Sequence, residues 1–194
     1  MALSPQTWFA AARAPLPGRV LRLACADAQV AARIESGQAS ALRALGIGEE
    51  LARTFLELAG RLESADAEWL AEPGNRLLNL ADEDYPDLLR ELSSPPPVLF
   101  VSGDLDLLWR AQIAIVGSRN PSAGGIDSAR DFAACFARSG LLVTSGLADG
   151  IDAAAHAAAL DSGEPTVAVV GTGPDRVYPA RNRDLARRIR AQGC

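Results

Sequence analysis

The sequence predicts an α/β chain in two parts, a helical domain over residues 1–72 followed by a parallel-sheet domain over residues 73–194. Three observations carry this. Through the first part apolar residues recur at helical spacing, as at Leu51, Phe55, Leu58 and Leu62. From Val98 onward short apolar runs alternate with helical stretches, the pattern of a parallel sheet covered on both faces. Glycine-rich turns follow the apolar runs that end near residues 116, 144 and 170.

Taken in order, Ser4 before Pro5 supplies an N-cap and a first-turn proline. Ala26-Asp27 opens a second helix. The stretch from Ala41 to Gly48, Ala-Leu-Arg-Ala-Leu-Gly-Ile-Gly, has the apolar-Gly-apolar-Gly turn of a helix-hairpin-helix, whose amides could hold a phosphate. It equally suits a tight interhelical turn that needs Gly46 and Gly48 for backbone geometry. Residues 73–97 read as a connector with Pro73-Gly74, a short strand near Leu77–Leu80, the acidic Asp82-Glu83-Asp84 and the prolines 95–97. Strands are then expected at Val98–Val101, Ile113–Val116, Leu141–Thr144 and Thr166–Val170, with helices near 124–139, 151–162 and 181–192. The run Ile113–Val116, apolar on both faces, is expected at the centre of the sheet.

Composition narrows the chemistry. The chain has 194 residues, 48% of them apolar and 22% charged. No apolar run reaches the ~18 residues of a membrane span, and the start lacks the basic-then-apolar order of a secretory signal, so a cytoplasmic location is expected. Cys25, Cys135 and Cys194 are odd in number, far apart and without a CxxC, which argues against a disulfide framework or a zinc site. No metal and no cofactor are expected. All 19 basic residues are arginine. Residues 1–110 carry 10 of them against 16 acids, a net −6, and residues 111–194 carry 9 against 8, a net +1. Arginines at 181, 183, 187, 188 and 190, with Asp184 the only acid among them, make a local positive face suited to an anionic ligand.

The first glycine turn runs from Ile113 through Val116 into Gly117-Ser118-Arg119 and on to Gly125. It lacks the spacing of a dinucleotide fingerprint, because Arg119 and Ser122 stand where glycines would be needed, and the absence of lysine excludes a P-loop. What remains is a hydroxyl and a guanidinium fork at a strand end. The second turn, Thr144-Ser145-Gly146-Leu-Ala-Asp-Gly150-Ile-Asp152, offers a second loop beside the first. Asp152 there reads either as part of the pocket or as a helix cap and dipole partner. His156, one turn later, has no serine or cysteine nucleophile placed near it by spacing and reads as a buried packing histidine sooner than as a general base. The third turn, Val170-Gly-Thr-Gly-Pro-Asp-Arg-Val-Tyr178-Pro179-Ala-Arg181-Asn182, sets an aromatic beside the basic helix.

In this order GSR, SGLADGID with AHAAAL, and VVGTGPDRVYPARN resemble the DprA/Smf family of DNA-processing proteins. Asp84-Tyr85-Pro86 with Leu88-Leu89 and the segment Pro95–Gly103 look like that family's entry into its sheet. The resemblance is strong over residues 75–190 and looser before them. It implies a SAM-like helical domain before an extended Rossmann-like domain, and a DNA-handling protein rather than an enzyme. It further implies single-stranded DNA binding, homodimer formation and loading of RecA recombinase in natural transformation. Carried over by position, the phosphate site comprises Gly117, Ser118 and Arg119, then Ser145, Gly146, Gly150 and Asp152, with Arg181 and Asn182 from the third turn. The family's sheet continues past the position of Gly193, so the resemblance implies a sheet domain incomplete at its C-terminus. The competing reading is a nucleotide-processing enzyme of the lysine-decarboxylase-like phosphoribohydrolase type, whose PGGxGTxxE loop has no counterpart here. A bare helical interaction module is a third.

Overall fold

Ser4 starts the first helix with extended backbone at φ −70 and ψ 157, its hydroxyl accepting from the Thr7 amide at 3.3 Å. Glu35 braces the same residue, accepting from the Ser4 amide at 2.7 Å. Loss of an N-cap typically costs about 1 kcal/mol, so Ser4→Ala should lower the free energy of urea unfolding by that amount, without changing the fold by circular dichroism. The computed structural model describes residues 3–60, 63–173 and 176–194. It divides into two compact units, Met1–Phe100 and Val101–Cys194.

The first unit begins with α1 (Pro5–Arg13), α2 (Gly18–Ala26), α3 (Ala28–Glu35), α4 (Ala39–Ala44), α5 (Glu49–Ala59) and α6 (Ser64–Ala71). Asp27 caps α3 as its sequence suggests, accepting from Gln29 N–H at 2.7 Å. The buried side chains Trp8, Phe9, Leu21, Ile34, Leu42 and Phe55 form the interior. Arg13 clamps Asp66 through two hydrogen bonds of 2.9 and 2.7 Å. Leu62, the last position of the apolar stripe, lies outside the described residues. In the candidate hairpin turn, Gly46 has φ +78 and its amide donates to Arg43 O, while the Ile47 amide donates to Leu42 O. Both amides are committed to ending α4, and Ile47 is buried, so this is a tight interhelical turn.

After α6 come β1 (Asn75–Asn79), α7 (Asp87–Arg90) and β2 (Val98–Ser102), with β1 and β2 paired. The sequence grouped residues 73–100 with the sheet domain, whereas here they belong to the helical unit. Side-chain packing explains the difference. The Phe100 ring meets Phe9 at 5.5 Å and Trp69 at 5.4 Å between centroids. Buried Tyr85 donates to Pro96 O at 2.8 Å, and the Arg90 guanidinium donates to the carbonyls of Asp82 and Tyr85.

The second unit contains β3 (Gln112–Ala114), α8 (Ala123–Arg138), β4 (Leu142–Ser145), α9 (Ile151–Asp161), β5 (Thr166–Ala168) and α10 (Arg183–Gln192). The strands are parallel in the order β3-β4-β5, with Ile113 opposite Val143 and Val143 opposite Thr166. The alternation of strand and helix follows the sequence closely. The expected central place of Ile113–Val116 does not: β3 lies at an edge, Val116 is 75% exposed, and β4 is in the middle. An apolar run reports how much of a strand prefers dryness, and it does not encode which neighbour lies on each side.

One face of the sheet packs Val143 and Ile115 with Ala133, Ala137, Ala155 and Ala159 of α8 and α9. These alanines let both helices approach closely. The opposite side packs Leu142 and Val167 with Leu107, Leu108 and Cys194. Beyond that cluster Val116 and Val169 stay exposed, so among the described residues the expected cover on both faces is complete on one and partial on the other.

Candidate functional site

Because β3, β4 and β5 are parallel, the turns that leave them lie along one edge of the sheet, where α/β proteins seat ligands. The first and second turns touch backbone to backbone. The Ile151 amide donates to Ser118 O at 3.2 Å. Gly150 has φ +78, and a Cβ there would fall on the Ser118 carbonyl oxygen; a Cβ on Gly117 would come within 2.7 Å of Ile151 Cγ1. Both glycines are therefore required by the close approach of the loops.

Several residues expected at the phosphate site hold the loops together. Ser145 is buried and donates to Ile115 O at 2.6 Å, joining the end of β4 to the run leaving β3. Asp152, also buried, accepts from the Gly146 amide at 3.2 Å and the Ala148 amide at 3.4 Å. Its carboxylate closes the second loop, a task distinct from capping its own helix. Asn182 donates to Leu147 O at 3.0 Å and to Ala148 O at 3.4 Å, so the third turn is sewn to the second. The Gly146 amide, taken by Asp152, is not free to bind an anion.

Arg119 and Ser118 face outward. Ser118 Oγ accepts from the Asn120 amide at 3.0 Å, which leaves its own proton to donate. Arg119 makes no hydrogen bond and no ion pair among the described residues, and it lines a cavity of about 190 Å³ with Gly146, Ala148, Asp149, Tyr178 and Pro179. Tyr178 is 65% exposed and precedes a cis peptide to Pro179. The Val170–Thr172 turn forms the remaining wall. Pro174 and Asp175 of the third motif lie outside the described residues.

The basic helix is less free than its sequence suggests. Arg181 binds Asp149 through two contacts, Arg187 pairs with Asp184 at 2.6 Å, and Arg188 pairs with Asp161 at 2.6 Å. The Arg181 hydrogen bond, with Arg119 adding a weaker pull, holds the Asp149 carboxyl below the usual carboxylate range. Asp149 is the cavity-lining acid that sequence reasoning missed. Its only signal was an acid placed between Ala148 and Gly150 in a loop otherwise suited to anions.

His156 is fully buried beneath the edge. The Thr166 hydroxyl donates to Val143 O at 2.6 Å, so at its 2.8 Å contact with His156 Nδ1 it accepts, which fixes the proton on Nδ1. Burial pushes the imidazole pKa down to about 4 against the opposing attraction of Asp152. The ring is neutral at pH 7 and packs between α9 and β5, as the sequence suggested. Among the described residues no group of three or more His, Cys, Asp and Glu side chains could hold a metal ion, and no helix is long and apolar enough to cross a membrane.

Comparison with known proteins places this edge in context. The family model described as DNA recombination-mediator protein A matches residues 76–194. Protein Smf of Synechocystis sp. is 46% identical over 116 residues, covering 58% of this chain and 29% of that protein. The crystal structure of DNA processing protein A from Streptococcus pneumoniae superposes with a TM-score of 0.63 at 36% identity, over 73% of this chain and 50% of that one. DNA processing protein A from Helicobacter pylori, described by its single-stranded DNA binding mode, gives a TM-score of 0.55 at 28% identity, over 61% of this chain and 52% of that one. The chain thus spans about half the length of these solved chains, and less of the Synechocystis protein.

Proposed function

The chain belongs to the DNA recombination-mediator protein A family, and from that membership and the geometry of the loop edge we propose that it binds single-stranded DNA through its phosphates. The observation that carries this reading is the Arg119 guanidinium, unpaired among the described residues and directed to a cavity walled by glycine backbone. A guanidinium fork matches a phosphate with two parallel hydrogen bonds. The exposed Tyr178 ring on the same cavity gives a base a surface on which to stack, an interaction every base can make. Together they favour binding without sequence readout.

In this reading Gly117, Ser118 and Arg119 contact the ligand, while Ser145, Gly146, Gly150, Asp152 and Asn182 hold the loops that present them. The protein is a binding protein and not an enzyme. The neutral His156 is sealed in the interior, and the Thr166 hydroxyl beside it is equally buried and spends its proton on Val143 O. Recombination mediation, with RecA as the recombinase loaded during natural transformation and a homodimer as the working form in the cytoplasm, extends the same proposal. The family description supports its first part.

The test compares fluorescent oligo-dT with a mixed-sequence strand across salt concentrations and assays nucleoside monophosphates for hydrolysis. Similar affinity for both strands, decline of log affinity with log salt, and intact nucleotides are the expected results. Hydrolysis of a nucleotide with no strand binding would favour the phosphoribohydrolase-type reading instead.

A further inference from the structure

We infer that Asp149 is a built-in competitor for the ligand's phosphate, occupying Arg181 beside the cavity while no nucleic acid is bound. This rests on the reading of the cavity as a phosphate site. A carboxylate and a phosphate present the same pair of acceptors to a guanidinium, and Asp149 takes Arg181 through two contacts. Asp149 lines the cavity that Arg119 lines, and the two are close enough for Arg119 to stabilise its charge.

The two sides of the pair are held unequally. The Asp149 side chain is 19% exposed, and its loop is fixed on both flanks by Asn182 to Leu147 O and Ala148 O and by Gly150 against Ser118. Arg181 is 71% exposed. The acid is anchored, and the arginine is the partner that can leave. A phosphate approaching Arg119 therefore meets an anion fixed at the cavity wall, and it gains Arg181 only by breaking the ion pair. Exposed pairs of this kind are weak, so the competitor attenuates binding without abolishing it. It also flattens the salt dependence of binding, because salt screens the pair that opposes the ligand as well as the contact with the ligand.

The test measures oligo-dT affinity of the 194-residue chain and three variants over a salt series. Asp149→Asn keeps the shape of the side chain and removes its charge. It should raise affinity about three- to tenfold at low salt, and steepen the slope of log affinity against log salt by about 0.7 as Arg181 joins the phosphate contacts. Combining Asp149→Asn with Arg181→Ala should cancel most of that gain. Arg119→Ala alone should weaken binding, which checks the site itself. Unchanged or weaker binding by Asp149→Asn, with Arg119→Ala still weakening it, would overturn the competitor role and leave the site standing. An unaltered affinity on Arg119→Ala, or no binding by any of the four proteins, would overturn the site and the competitor together.

Discussion

Arg119→Ala should cut affinity for single-stranded DNA on the order of tenfold to a hundredfold, the scale of losing a charge-assisted contact of roughly 1.5 to 3 kcal/mol. The loss should fall on binding and leave stability alone. Arg119 is exposed, touches no core cluster and makes no hydrogen bond among the described residues, so its removal leaves no buried group unsatisfied. One phosphate contact fewer should also flatten the salt slope by about 0.7 for a single strand. Oligo-dT and mixed strands should weaken alike, because a guanidinium on the backbone reads no base. Fluorescence anisotropy across a salt series, paired with thermal melts of both proteins, checks all of these outcomes. Equal affinity and slope with an unchanged melting temperature would remove Arg119 from the binding surface.

Acidification from pH 7 to pH 5 should lower the unfolding free energy by about 2 kcal/mol through His156 alone. Its pKa is about 4 in the fold against 6.5 in the unfolded chain, so the unfolded state binds the extra proton throughout this range. The stability it contributes is complete above the unfolded value and is lost as pH falls toward the folded one. At full protonation the loss approaches about 3 kcal/mol, each pKa unit being worth 1.36 kcal/mol. The window is clean, since His156 is the only histidine in the sequence. Urea unfolding at closely spaced pH values should show the slope in the parent protein and a flat profile in His156→Gln. Proton resonances of the single imidazole give an independent reading in the parent protein: they should show the neutral ring down to pH 5. A midpoint near 6.5 would mean that the ring is solvated.

Much of this architecture was legible because its causes are local. The cap at Ser4, the cap at Asp27 and the alternation of β3, α8, β4, α9 and β5 each follow from neighbouring residues. The adjacency of the Gly117 and Gly146 turns followed from parallel strands, whose carboxyl ends share an edge. Strand order was not legible. Ile113–Val116 is as apolar as a central strand, but pairing partners are chosen across the chain, and the middle place went to Leu142–Ser145. The charge of α10 was misjudged for a related reason. Along the sequence Asp184 is the only acid among those arginines, while folding brings in Asp149 from the second turn and Asp161 from the end of α9. Likewise Ser145, Asp152 and Asn182 carry groups that suit a phosphate, but the fold surrounds each with loop backbone. A polar residue in a glycine loop serves the loop or the ligand, and only tertiary placement separates the two.

The proposed function places single-stranded DNA on the edge formed by the three glycine turns. Amide chemical-shift mapping of the ¹⁵N-labelled chain with oligo-dT tests it most directly. Saturable shifts are expected at Gly117–Asn120, Gly146–Asp149, Gly171–Thr172 and Tyr178, and they should reverse when salt is raised. Saturable shifts confined to the Gly46–Gly48 turn or to the outer face of α10, with the three turns unmoved, would contradict it.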